Sequence, residues 1–260
     1  MIGIIGGSGL YDIEGVVIKD ISKIVTPYGY PSDSYVIAEF AGRDVIFLPR
    51  HGSRHNIPPH KINYRANIWG FKELGVERIV SLSATGGISN HMVPGSIVVL
   101  DQIIDMTKGR DSTFFDGEDG VVHIDFTEPY CQELRNSFLK AGRKSGIALN
   151  KAGTYICVNG PRLETKAEIN FFSKIGADVV GMTAMPEASL AREAELCYVG
   201  IGVVTNYAAG IIKKRLTTTE VLEVMKMTTG RLKEVLKEAF KLIPVERKCA
   251  CKEALKEARM

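Results

Sequence analysis

The chain has 260 residues, of which 45% are hydrophobic and 24% charged, which excludes a disordered chain and suits one large α/β domain. Its formal net charge is +3, from 33 Lys and Arg interspersed with 30 Asp and Glu, too slight a bias for nucleic acid or an acidic membrane as the main partner. The apolar start, Met1 to Ile5, is too short for a signal peptide, and no stretch reaches the roughly eighteen apolar residues of a membrane helix, so a cytoplasmic protein is expected.

Strand signals begin with Met1 to Ile5, which runs into Gly6-Gly7-Ser8-Gly9. The backbone of such a turn can approach an anion and the Ser8 hydroxyl can donate to it, although a glycine turn serves equally as a structural corner. Neither the third glycine of a dinucleotide fingerprint nor a Walker lysine follows, so no nicotinamide or other cofactor is expected. Strands are next predicted over Tyr35 to Phe40 and Val45 to Leu48, the second ending in Pro49-Arg50-His51-Gly52. Arg50 offers a planar fork suited to phosphate oxygens and His51 a further donor, unless the two are a plain surface pair. His55, His60 and His91 show no metal spacing and are read as structural; no metal is expected.

A helix over Tyr64 to Leu74 leads to a strand over Arg78 to Ser83 and a second glycine turn, Ala84-Thr85-Gly86-Gly87. There the Ser83 hydroxyl and the Ala84 amide could meet the same anion, or simply form a turn. Further strands are predicted over Ser96 to Leu100, Gly153 to Val158, Asp178 to Gly181 and Cys197 to Thr205, and helices over Glu133 to Ser145, Glu164 to Ile175, Pro186 to Ala194 and Thr219 to Leu242. Thr183, between a strand end and the helix from Pro186, is placed to cap or to bind. No repeat or linker divides the chain, and alternating strands and helices predict a mixed or mostly parallel sheet covered on both faces, with ligands at the carboxyl ends of strands.

The cysteines are five. Cys131, Cys157 and Cys197 sit in apolar or mixed segments and read as inert buried thiols, whereas Cys249-Ala250-Cys251 in a basic tail could exchange disulfides, bind metal or do neither. Glutamine occurs only at Gln102 and Gln132 beside abundant Lys and Glu, a composition that leans towards a thermophilic source.

Taken together, Gly3-Ile4-Ile5-Gly6-Gly7-Ser8-Gly9, Arg50-His51-Gly52, Asn63-Tyr64-Arg65-Ala66-Asn67-Ile68-Trp69, Gly160-Pro161-Arg162, Gly181-Met182-Thr183-Ala184-Met185-Pro186-Glu187 and Thr205-Asn206-Tyr207 resemble the trimeric purine nucleoside phosphorylase and methylthioadenosine phosphorylase family. The resemblance implies a single α/β domain over residues 1–245, a mixed central sheet with a distorted barrel flanked by helices, and a tail over 246–260. It implies a homotrimer or homohexamer that acts on a small nucleoside, with inorganic phosphate as co-substrate. A phosphate site of Ser8, Arg50, His51, Ser83, the Ala84 backbone and Thr183 follows from it. Met182 matches a ribose-binding residue, and His123 a residue at the sugar's 5′ end, often supplied across the subunit interface. Thr218 and Val221 match positions of the 5′ pocket, where they leave a hydroxyl and a methylthio group both open.

At the base, the methylthioadenosine branch carries an aspartate where this chain has Asn206 and a second aspartate where it has Ala208. Glu164, after Leu163, matches the base-binding glutamate of the 6-oxopurine branch. An amide at Asn206 can donate to O6 or N7 and a carboxylate at Glu164 can accept from N1, which implies inosine and guanosine as substrates, with methylthioinosine or methylthioadenosine as the alternative. Asn206 and His51 are the expected catalytic residues.

Overall fold

The computed structural model describes residues 1–7, 15–117, 120–213 and 217–260; Ser8 therefore lies outside the described residues. Strand β1 (Ile2–Gly6) lies between β4 (Arg43–Pro49) and β5 (Arg78–Gly87) and is parallel to both. Side chains alternate between two apolar clusters along these strands. Ile4, Phe47 and Val80 enter one, while Ile5, Leu48 and Ile79 enter the other, so each strand is buried on both faces and reads as a continuous apolar run. Helices α2 (Gln132–Lys144) and α5 (Thr218–Leu242) close the first cluster with Phe138, Leu236 and Phe240. Helices α1 (Tyr64–Glu73) and α4 (Ala184–Glu193) close the second with Phe71 and Leu190.

The barrel arises because the sheet branches at β5. Strand β10 (Cys197–Tyr207) runs parallel along it, and the last two residues of β5 pair antiparallel with β9 (Val179–Gly181). Strand β9 continues through β8 (Thr154–Cys157) to β7 (Gln102–Asp105). The preceding strand β6 (Ile97–Val99) pairs with β10, so the bent stretch from β6 to β7 closes the ring. Strands β2 (Val16–Ser22) and β3 (Tyr35–Phe40) extend the sheet beyond β4.

The fold is thus the expected single mixed α/β domain. Strands β2 and β7 were not anticipated: β2 is an edge strand with Val17, Ile18 and Ile21 exposed, and β7 is polar at both ends, so neither carries the buried apolar pattern by which strands are recognised. Helix α3 (Lys166–Lys174) starts two residues later than predicted because Thr165 and Glu168 form a reciprocal capping box at its entrance. The tail folds back on the body: Cys251 is buried in the α2 and α5 cluster, and the backbone of Met260 and Ala258 bonds to that of Val121 and His123. No helix among the described residues is long and apolar enough to cross a membrane.

Candidate active site

The parallel register places the ends of β1, β4 and β5 side by side. Gly6 pairs with Pro49, and the Arg50 amide donates to the Gly6 carbonyl at 3.0 Å. The Arg50 side chain, only 1% exposed, turns inward beneath these ends. Its Nε donates to Glu187 Oε2 at 3.0 Å and its Nη2 to Oε1 at 2.8 Å, a fork-to-fork pair with a carboxylate that is itself fully buried. Ser81 Oγ accepts from Nη2 at 2.7 Å and donates to Glu187 at 2.8 Å, and the Tyr198 hydroxyl donates to the same Oε1 at 2.8 Å. One Nη1 hydrogen goes to the Leu82 carbonyl at 2.8 Å and Nη2 also faces the Ile5 carbonyl. That leaves the second Nη1 hydrogen without a partner among the described residues. Burial opposes the Arg50 charge, but the Glu187 carboxylate outweighs it and holds the guanidinium pKa above its ordinary value. Arg50 is therefore a permanently charged, rigidly held group whose donors are mostly spent inside the protein.

Beyond that pair the hydroxyls expected at an anion site converge. Continuing the antiparallel register of β5 and β9 sets Thr183 opposite Ser83, and their oxygens stand 3.4 Å apart. Thr183 precedes α4, yet its side chain makes no capping bond; its amide donates to the Tyr155 hydroxyl at 3.2 Å. His51 Nδ1 lies 2.8 Å from the Ile57 carbonyl. A carbonyl can only accept, so that nitrogen carries the proton and Nε2 of the neutral ring presents a lone pair. The donor expected of His51 is thus spent on Ile57 in the ligand-free protein. Burial pushes the imidazole down to about 4, with the Ile57 bond working the other way.

The base and sugar positions flank the same strand. Asn206 lies beside Gly86 on β10, just after an irregularity in register, while Met182 follows β9 on the other edge. Asn206 Nδ2 donates to the Tyr207 carbonyl at 2.9 Å, and Oδ1 accepts from the Thr205 hydroxyl at 2.9 Å. The Tyr207 carbonyl fixes this orientation, because a reversed amide would set two acceptors face to face. Gly160, at φ +64°, lies directly against Met182 Sδ, and Gly210, at φ +79°, directly against the Lys166 side chain. The first contact packs the loop that bears Leu163 and Glu164 onto Met182; the second ties it to the strand end after Asn206. Glu164 is half-buried and its carboxyl is raised above the ordinary range, chiefly by burial, while its own backbone N–H opposes the shift. Leu163 is exposed, and Ala208 is buried among Val180, Ile169 and Phe172.

The remaining expected residues lie on other elements. Thr218 is exposed and Val221 partly buried in the first turn of α5, and residues 214–216 before them lie outside the described residues. His123 is exposed on the surface with its backbone tied to the tail. Glu187, Ser81 and Tyr198 gained no role from the sequence, since burial pairs them only in three dimensions; the Pro186-Glu187 helix start was the one signal. Arg110 was missed altogether. It donates to the carbonyls of Met185, Asn159 and Val158, stitching the start of α4 to the end of β8.

A model of the phosphorylase superfamily matches residues 1–241. The chain belongs to that superfamily. Within it, the protein is 56% identical to a probable S-methyl-5'-thioinosine phosphorylase of Thermodesulfovibrio yellowstonii, over 99% of this chain and 96% of that protein. It is 51% identical to a probable 6-oxopurine nucleoside phosphorylase of Thermococcus kodakarensis, over 99% and 98% of the two chains. The solved methylthioadenosine phosphorylase of Schistosoma mansoni in complex with adenine superposes with a TM-score of 0.94 at 34% identity, covering 100% of this chain and 98% of that one. This phosphorylase is accordingly an enzyme of the purine nucleoside phosphorylase family with the mixed sheet of that fold.

Two outcomes follow for the site. Replacing Glu187 by alanine strands a buried cation, and chemical denaturation should show a loss of about 3–5 kcal/mol; stability equal to the parent contradicts the pairing. His51 has a folded-state pKa below its value in the unfolded chain, so its contribution is complete above pH 6.5 and is lost as pH falls towards 4. In NMR titration of the ligand-free protein its ring should stay neutral from about pH 8 to about pH 5. A midpoint near 6.5 overturns that assignment.

Proposed function

We propose that the protein cleaves 6-oxopurine nucleosides such as inosine and guanosine with inorganic phosphate, releasing the free base and ribose 1-phosphate. The observation that carries this reading is the orientation of Asn206. With one amide hydrogen on Tyr207 and Oδ1 accepting from Thr205, the second Nδ2 hydrogen is left to donate to a ligand, as O6 or N7 of an oxopurine requires. An aspartate in its place would set a carboxylate against the Tyr207 carbonyl. Glu164, on the loop packed against Met182, supplies the acceptor for the N1 hydrogen.

Phosphate is the co-substrate and no other cofactor is invoked. Ser83, Thr183, the Ala84 amide and Ser8 donate to its oxygens. Arg50 contributes mainly its fixed charge through the remaining Nη1 hydrogen, and the lone pair of His51 Nε2 accepts a hydrogen bond from the P–OH that a phosphate dianion still carries. Bond cleavage leaves positive charge on the sugar and negative charge on the departing base. The bound dianion stabilises the first and the Asn206 amide the second, with no reorganisation of the site at the moment of reaction. Assembly as a homotrimer or homohexamer accords with the apolar residues exposed on β2 and would bring His123 of a neighbouring subunit to the 5′ end of the sugar.

A 5′-methylthio nucleoside with the same base is a second reading, favoured by the relative from Thermodesulfovibrio yellowstonii; Thr218 and Val221 accept either substituent. Four nucleosides assayed with and without phosphate decide between these readings. Inosine or methylthioinosine should exceed the matching adenine nucleoside in kcat/KM by more than about a hundredfold, since a mismatched buried donor costs that much or more. Base release without phosphate, or a preference for adenosine, overturns the reading. Asn206→Asp should move the preference towards adenine nucleosides; an unchanged ratio shows that the base binds elsewhere.

A further inference from the structure

Four of the five cysteines, separated in sequence, meet at one point away from the nucleoside site. Cys131 occupies the N-cap position of α2, Cys197 opens β10, and Cys249 and Cys251 lie in the tail at a short helical turn. Their Sγ atoms all lie within 4.8 Å of one another, and Cys197 and Cys249 are 3.3 Å apart. Cys157 is elsewhere, against the Met185 carbonyl.

We propose that Cys131, Cys197, Cys249 and Cys251 form a structural tetrathiolate site for a thiophilic divalent cation of the zinc class. A metal ion about 2.3 Å from each of four sulfurs sets them about 3.8 Å apart at the corners of a tetrahedron, and a cluster of this size contracts or expands to that geometry by small side-chain rotations. Two disulfides need only that sulfurs approach in pairs, whereas here all four share one centre. Pairing the two tail cysteines with each other would also close a tight ring across one residue. Three of the four are buried and the fourth partly so, so water does not compete for the ion, and a filled site with four sulfurs is closed to catalysis. On binding, the four thiols release their protons to solvent, which leaves a net charge of about −2 at the site. The N-terminus of the thirteen-residue α2 abuts Cys131, whose side chain makes no capping bond, and places the positive end of the helix dipole beside the thiolates.

The ion would join the tail to α2 and β10. This inference is independent of the substrate reading. It is tested on the full chain, made without a metal-affinity tag, reduced and supplied with zinc. Elemental analysis should find one zinc ion per chain, native mass spectrometry should show the same adduct, and replacement by cobalt should give the intense visible bands of tetrahedral thiolate coordination. The double variant Cys249→Ser and Cys251→Ser should lose the ion, while Cys157→Ser keeps it. Parent protein with all five thiols free and no metal overturns the proposal, as does a denatured mass, taken before reduction, lighter by four hydrogens, which would report two disulfides. Those measurements on the parent chain stand even if the double variant does not fold.

Discussion

The ion pair of Arg50 with Glu187 is the constraint from which the rest of the site follows. A guanidinium and a carboxylate without access to water persist only when nearly every donor and acceptor is matched, and here Ser81, Tyr198 and the Leu82 carbonyl complete the set. Those partners come from β4, β5, α4 and β10. Satisfying one buried charge therefore fixes the relative positions of the strand ends and the helix around which the anion site is built.

Strand β5 carries that order outward. Its first half is held between β1 and β10, and its last residues exchange β1 for β9. Three segments that carry expected site residues consequently line a single strand: Ser83 and Ala84 on it, Met182 and Thr183 along one edge, and Asn206 along the other. Glycine at 160 and 210 lets two further loops close on this line, because any side chain there would strike Met182 or Lys166.

Carbonyl groups decide the chemical character of the two side chains expected to be catalytic. A backbone carbonyl has no proton to give, so Ile57 fixes the tautomer of His51 and Tyr207 the orientation of Asn206. The outcome sets an acceptor at His51 where a donor was foreseen, and orients the Asn206 amide by its bond to Tyr207.

Much of this was legible in the linear chain. The apolar runs of β1, β4, β5 and β10 and the capped or periodic helices appear near their predicted limits, since burial on two faces leaves a local pattern. The Gly6-Gly7 end of β1, Arg50-His51, Thr183 and Asn206 could be singled out because strand ends, hydroxyls and forked donors carry their chemistry in their identity, whereas the turn expected over Ala84 to Gly87 is instead the last part of β5, paired with β10 and β9. The edge strand β2 and Arg110 left no such trace; Glu187 showed only as part of a helix start, and of the cysteine cluster only Cys249 and Cys251 stood out, while Cys131 and Cys197 read as inert. Their significance lies in partners that are distant along the chain and adjacent only after folding. What the sequence by itself determined was the set of elements and the kinds of group available to a ligand. Only the tertiary structure decided how many donors Arg50 has left, which nitrogen of His51 bears the proton and that Cys131 meets Cys249, because hydrogen-bond saturation and convergence depend on contacts between remote segments.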